Sequence, residues 1–389
     1  MQSVGYERRP ILVVFREASR IKETYAGRTD TVALEAHHLV PQGRPSDTVV
    51  IFMHPAGGTQ YLPMVAGLAR SGVHVISCNS RYPRNDSALI MEKVVLDLGA
   101  CVRHAREKLG YARVVLAGWS GGGSLSLFYQ AQAERPTVTA TPAGDGPNLV
   151  DAKLPKVDGL LLLAAHSSRA RILTEWLDPS VVDEANPFKR DASLNLYNPA
   201  NPERPPFSAA FITHFRAAQV ARNRRITAWV QNHLADAQRA GRDDREHCFV
   251  VHGTMAEPAW LDPSIDPNGR VPGTCYMGDP RMVNDAPAGL ARFTSLRSWL
   301  SQYALDLSNA DGPRFAPSVS VPVCLVENEA DDGCLPHHMR AVYAALTSTD
   351  KEHHVVHGAT HYYFDQPEKL AEGIGHACDW LQRKGFIAA

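Results

Sequence analysis

The stretch Val114-Val115-Leu116-Ala117-Gly118-Trp119-Ser120-Gly121-Gly122 constrains this chain more than any other. A continuous apolar run of strand length meets a serine between glycines, and a small-residue helical pattern, Ser124-Leu125-Ser126-Leu127-Phe128, follows at once. A serine at a tight strand-to-helix turn has its hydroxyl raised clear of the sheet, and the glycines let neighbouring backbone pack against it. The N–H of Gly121 would open the following helix, where a developing negative charge is favoured.

The rest of the chain supplies a matching frame. Thr48 to Met53 is an unbroken apolar run, as for a strand buried on both faces, and Val73 to Cys78 and Val157 to Ala165 are similar. Between them lie helical patterns over Tyr61 to Arg70, over Met91 to Leu109 with Asp86 or Ser87 as the expected cap, and from Gly121 to about Glu134. Ile11 to Phe15 and Thr31 to Val40 read as two earlier strands. Alternation of this kind predicts an α/β fold with a parallel sheet wrapped by helices.

From His166 to Pro317 the character changes. Buried-strand runs give way to frequent prolines and arginines, with helical faces over roughly 207 to 240, a helix expected over Leu290 to Leu307, and a short apolar run at Cys248 to Val251. The α/β pattern resumes with strands at Val321 to Val326 and His353 to Val356 and helices at Pro336 to Leu346 and Pro367 to Lys384. The organisation expected is a core of residues 1–166 and 318–389, with 167–317 inserted as a large, mainly helical cap.

Bulk properties exclude several classes. A length of 389 residues, with 44% hydrophobic and 21% charged, suits an ordinary globular protein. Forty basic and 41 acidic residues leave a formal net charge of −1, so neither nucleic acid nor an anionic membrane is an expected partner. The seven cysteines are scattered and never spaced C-x-x-C, which predicts reduced thiols. With no apolar leader in Met1 to Arg9 and no membrane-length apolar window, a cytoplasmic location is expected. A homodimer is the base-rate expectation for assembly.

A serine hydroxyl needs a base to take its proton and an acid to orient that base. After an elbow of this type the partners follow in the order acid, then histidine. Asp331 leads the acid candidates in Asn328-Glu329-Ala330-Asp331-Asp332-Gly333, with Asp332 and Glu329 as alternatives. His361, in the loop Gly358-Ala359-Thr360-His361, leads the base candidates over His353, His354 and His357. A second oxyanion donor is expected from His54-Pro55-Ala56-Gly57-Gly58. Pro55 has no N–H, so the donor falls to Ala56 or else Gly57. His54 is placed either bracing this loop or touching substrate. His166, Ser167, Arg169, Trp176, Phe211, Phe215, Trp229, Tyr362 and Tyr363 are further candidates for substrate contact, Arg169 for a substrate carboxylate. His337-His338 and His353-His354 read as adjacent pairs pointing apart, so no metal site is expected.

In this order, His54-Pro55-Ala56-Gly57-Gly58, Gly118-Trp119-Ser120-Gly121-Gly122, Asp331 and Gly358-Ala359-Thr360-His361 resemble the α/β-hydrolase superfamily, over roughly 30–166 and 320–389. The resemblance implies a mostly parallel eight-stranded sheet with the cap between strands 6 and 7. It also implies a triad of Ser120, Asp331 and His361, oxyanion donors at Ala56 and Gly121, and no cofactor. Two departures are plain: Pro55 stands where a glycine commonly follows the histidine, and the insertion is larger than an ordinary four-helix lid. The activity expected is hydrolysis of a small or medium carboxylic ester, with His54, His166, Arg169 and Tyr362 at the substrate. Carbon–carbon bond hydrolysis, amide hydrolysis and acyl transfer use the same triad, and a ligand-binding protein without catalysis is the alternative from another class.

Overall fold

The computed structural model describes residues 3–19, 21–24 and 27–388. Eight strands form one sheet in the order β1-β2-β4-β3-β5-β6-β9-β10. They are β1 (Tyr6–Arg16), β2 (Thr31–Pro41), β3 (Thr48–Phe52), β4 (Val75–Cys78), β5 (Arg113–Trp119), β6 (Gly159–Leu163), β9 (Val323–Asn328) and β10 (Lys351–Val356). Only β1 and β2 run antiparallel to their neighbours; the other pairings are parallel. Every residue of β3, β4, β6 and β9 is buried. That burial is why these strands read as unbroken apolar runs instead of alternating ones.

Helices cover both faces. On one side lie α1 (Pro63–Arg70) and, after β10, α10 (Pro367–Arg383), packing Met64, Leu68, Ala377 and Trp380 against Val50, Phe52, Val115 and Leu161. On the other lie α2 (Met91–Glu107), α3 (Gly121–Glu134) and α9 (Pro336–Ala345), joined through Val94, Leu98, Leu125, Phe128, Met339 and Val342. Each crossover returns the chain to the same end of the sheet. The loops after β3, β5, β6, β9 and β10 therefore gather beyond the strands' carboxyl ends, where open α/β sheets place their sites.

Between β6 and β9 the chain makes α4 (Arg169–Trp176), the 31-residue α5 (Ala209–Arg239), α6 (Pro280–Asp285), α7 (Leu296–Gln302), α8 (Gly312–Phe315) and a two-stranded ribbon of β7 (Cys248–Val250) and β8 (Phe293–Ser295). This insert has apolar clusters of its own, one around Trp299, Tyr303, Ile226 and Val230 and another around Phe211 and Phe215. Its last stretch, Ala310 to Val319, packs into the cluster that holds α3, with the Phe315 ring centroid 5.1 Å from that of Phe128.

Two local expectations fail. The helix expected over Leu290–Leu307 starts only at Leu296, because Phe293–Ser295 pairs with β7 and the Ser295 side chain accepts from Ser298 N–H to open α7. Asp86 and Ser87 do not cap α2. Its start is Ile90, and Ser301 Oγ of the insert accepts from Met91 N–H at 2.8 Å. Asp86 instead receives Arg169. Among the described residues no helix is long and apolar enough to cross a membrane.

Candidate active site

Ser120 joins β5 to α3 with φ 51° and ψ −119°, a left-handed conformation costing about 1–3 kcal/mol that surrounding structure must hold in place. The glycines explain how it is held. A Cβ on Gly118 would lie 2.4 Å from Gly122 O, and one on Gly122 would lie 2.6 Å from Met53 O. Both contacts are with backbone, so neither can yield. The elbow is therefore wedged against β3 and against its own first turn.

Asp331 and His361 meet across the ends of β9 and β10. His361 Nδ1 lies 2.7 Å from Asp331 Oδ2, and both side chains are buried. The other carboxylate oxygen, Oδ1, accepts from the N–H groups of Gly333 and Cys334, each at 2.7 Å. Asp331 is thereby fixed from both sides. Asp332 takes no part in this pairing: it offers its backbone carbonyl to Trp260 Nε1 at 2.6 Å, while burial and the neighbouring Asp331 raise its carboxyl to about 6. Glu329 accepts from Gly358 N–H. Burial alone would depress His361, but Asp331 outweighs it and the imidazole stands above its ordinary 6.5. No hydrogen bond joins Ser120 to His361 among the described residues; the polar neighbour of Ser120 Oγ is Cys334 Sγ at 3.7 Å.

Ala56 N–H, the expected oxyanion donor, is engaged within its own loop. His54 Nδ1 accepts from Ala56 N–H at 3.2 Å and from Gly57 N–H at 2.7 Å, so both candidate backbone donors are spent on bracing the loop. That bonding assigns the tautomer: with Nδ1 an acceptor, the proton of the neutral ring sits on Nε2. Burial, with Arg169 and His361 nearby, lowers His54 to about 3, so the ring is neutral at ordinary pH. Its Nε2 lies 2.9 Å from where a Cβ on Gly121 would be, and His166 Nε2 lies 3.2 Å from the same point. Gly121, as the first residue of α3, has no acceptor for its N–H within the helix. Two imidazole nitrogens thus lie beside Gly121, the residue after Ser120. His166 is likewise held well below its ordinary value, by burial and then by His338 and Arg169. Its Nδ1 is buried without a partner.

These groups line one cavity of about 130 Å³ with Arg169, Ile172, Trp176, Tyr276, Leu290, Gly333 and Tyr362. The expected contacts His54, His166, Arg169, Tyr362 and Trp176 are all on its wall. Phe211 and Phe215 are not; they stack within the insert, Trp229 lies with Phe249 and His247, and Tyr363 is buried with its hydroxyl on Asn328. Sequence reading missed Ile172, Tyr276 and Leu290, which no local pattern marks. Arg169 is buried and spans the insert and the core. Its Nε reaches Gln302 at 2.9 Å, and its Nη2 reaches Asp86 at 2.9 Å and Tyr303 Oη at 2.7 Å. Nη1 has no partner among the described residues. A larger open groove of about 810 Å³, near Arg81, Asp145 and Arg297, carries none of the groups around Ser120.

No protein-family model matches the chain, and no curated protein matches it. Among solved structures it is similar to the alpha/beta hydrolase GrgF from Penicillium sp. sh18, with a TM-score of 0.50 and 10% identity over 97% of this chain and 99% of that one. It is also similar to the monoacylglycerol lipase of Paleococcus ferrophilus (TM-score 0.46, 16% identity, 90% of this chain and 99% of that one). A third is Est1E from Butyrivibrio proteoclasticus (TM-score 0.45, 12% identity, 90% and 95%). With its mostly parallel eight-stranded sheet and its serine at the turn after β5, this chain has the α/β-hydrolase fold.

Proposed function

We propose that this protein is a serine hydrolase that cleaves a carboxylic ester with a small acyl group. The observation that carries this reading is the buried Asp331–His361 pair at 2.7 Å, opening onto the cavity that also holds Ser120. Ser120 attacks the carbonyl as His361 Nε2 takes its proton. His361 then returns that proton to the leaving alcohol, and water repeats the sequence on the acyl-enzyme. Asp331 keeps the histidine proton on Nδ1 and stabilises the imidazolium.

The oxyanion donors are Gly121 N–H and His54 Nε2–H. A side-chain donor replaces the backbone N–H of Ala56, and each donor contributes roughly 3 kcal/mol to the tetrahedral state. Neutral His54 suits this role, since its charge does not change within the working pH range. A cavity of about 130 Å³ favours a short acyl chain. The insert acts as a cap: Ile172, Trp176 and Leu290 bound that chain, and Arg169 Nη1 would take an anionic substituent.

A p-nitrophenyl ester series from acetate to decanoate, with fluorophosphonate labelling in parallel, tests the reading. Wild type should be labelled and should prefer the shortest esters. Ser120→Ala should lose labelling and on the order of 10⁴-fold or more in kcat/KM. A protein that is neither labelled nor active on any member would favour the non-catalytic ligand-binding alternative.

A further inference from the structure

A second group of histidines and carboxylates lies behind the cavity wall. Glu175, the residue before Trp176 in α4, faces His337 and His338 at the start of α9. Its Oε2 lies 3.2 Å from His337 Nε2 and 3.2 Å from His338 Nε2. The rings of the two histidines are 4.1 Å apart, so this adjacent pair does not point apart as its sequence suggests. One donor atom from each of the three residues lies within 4.8 Å of the other two.

We infer that Glu175, His337 and His338 form a binding site for one divalent transition ion of the Zn²⁺ type, with water in the fourth position. Three observations support it. First, charge-assisted N–H···O⁻ bonds run about 2.7–2.9 Å, as they do at His337 Nδ1 to Asp266 (2.8 Å) and at His361 to Asp331 (2.7 Å). The approaches to Glu175 are longer, at 3.2 Å, close to the roughly 3.3 Å edge of a tetrahedron with Zn–N and Zn–O bonds of about 2.0 Å. Second, the outer nitrogen of each ring is already held by an oxygen. Asp266 Oδ2 takes His337 Nδ1, and Ser167 Oγ lies 2.9 Å from His338 Nδ1. Metal-binding histidines are oriented in this way. Third, access and rigidity are both present: His337 is 41% exposed, whereas His338 is 2% exposed. Binding through Nε2 would leave the Nδ1 contacts in place.

The ion would clamp α4 of the insert to α9 of the core. Since Arg169, Ile172 and Trp176 of α4 line the cavity, the clamp would set that wall without touching the reacting atoms.

The test uses the full-length protein, freed of metal with a chelator and titrated with Zn²⁺ by calorimetry and with Co²⁺ by visible absorption. One equivalent should bind, with a tetrahedral Co²⁺ spectrum lacking thiolate charge-transfer bands, and Zn²⁺ should raise the melting temperature. His337→Gln, at a half-exposed position, and Glu175→Gln should each weaken binding at least tenfold and abolish the thermal shift. The inference is overturned if no stoichiometric ion binds, or if binding survives in His337→Gln. It is also overturned if the Co²⁺ spectrum carries a thiolate band that Cys334→Ser removes, since the ion would then sit at Asp331, Cys334 and His361.

Discussion

The cavity around Ser120 has two walls built on different principles. The core wall presents His54, Ser120, His166, His361 and Tyr362 from loops that backbone contacts hold in place: the Ser120 turn, glycines with no room for a methyl group, and a loop folded onto His54 Nδ1. The insert wall is made of side chains, Arg169, Ile172, Trp176, Tyr276 and Leu290, held by contacts between residues far apart in sequence. Backbone geometry of the first kind leaves little freedom and positions reacting atoms. Side chains of the second kind can be exchanged with much less disturbance and set what fits. On the proposed function, reaction and selectivity fall to separate parts of the chain.

Mutations on the two walls should therefore differ in kind. The largest effect is expected for Asp331→Asn, which leaves the shape intact but removes the acceptor that fixes the histidine tautomer. It should lower kcat by about 10⁴-fold with KM little changed, and a loss under tenfold would remove Asp331 from the triad. Next, His54→Ala should lower kcat by about 10²–10³-fold. If Ala56 N–H, freed from His54, were the true donor, kcat would hold and only stability would fall. Gly122→Ala should destabilise by about 1–3 kcal/mol through its clash with Met53 O, read by chemical denaturation.

On the insert wall, Trp176→Ala should spare acetate hydrolysis and raise kcat/KM for octanoate by roughly tenfold. Equal losses on both esters would show that Trp176 serves the core wall instead. Finally, the pH profile should depend on the core wall alone. His361 must be neutral to act as base and its folded value lies above 6.5, so kcat/KM should fall as pH drops through a midpoint above 6.5. His54, lowered to about 3, should add no limb of its own above pH 5.

Legibility from sequence divides along the same line. The parallel sheet, the Ser120 turn and the loops carrying Asp331 and His361 were readable, because fully buried strands and glycine-flanked turns leave local marks. The pattern of the loop around Ala56 cannot reveal that a side chain two residues earlier turns back to take its N–H. Asp86 looked like a helix cap, and only the fold brings Arg169 to it across 83 residues of chain. Ile172, Tyr276 and Leu290 were invisible for the same reason. His337 and His338 looked divergent because successive helical residues differ by about 100° in direction. At the first turn of α9, Asp266 and Ser167 steer both rings toward Glu175.

The fastening of α2 to the insert bears on engineering. Glu92 is fully buried in the core and spends its carboxylate on Ser301 Oγ at 2.7 Å and Asn309 Nδ2 at 2.9 Å, both from the insert. Excision of the insert would deprive that acid of both partners and Asp86 of Arg169. The region above the sheet is therefore not an interchangeable module. A chimera carrying another lid would need Glu92 replaced at the same time.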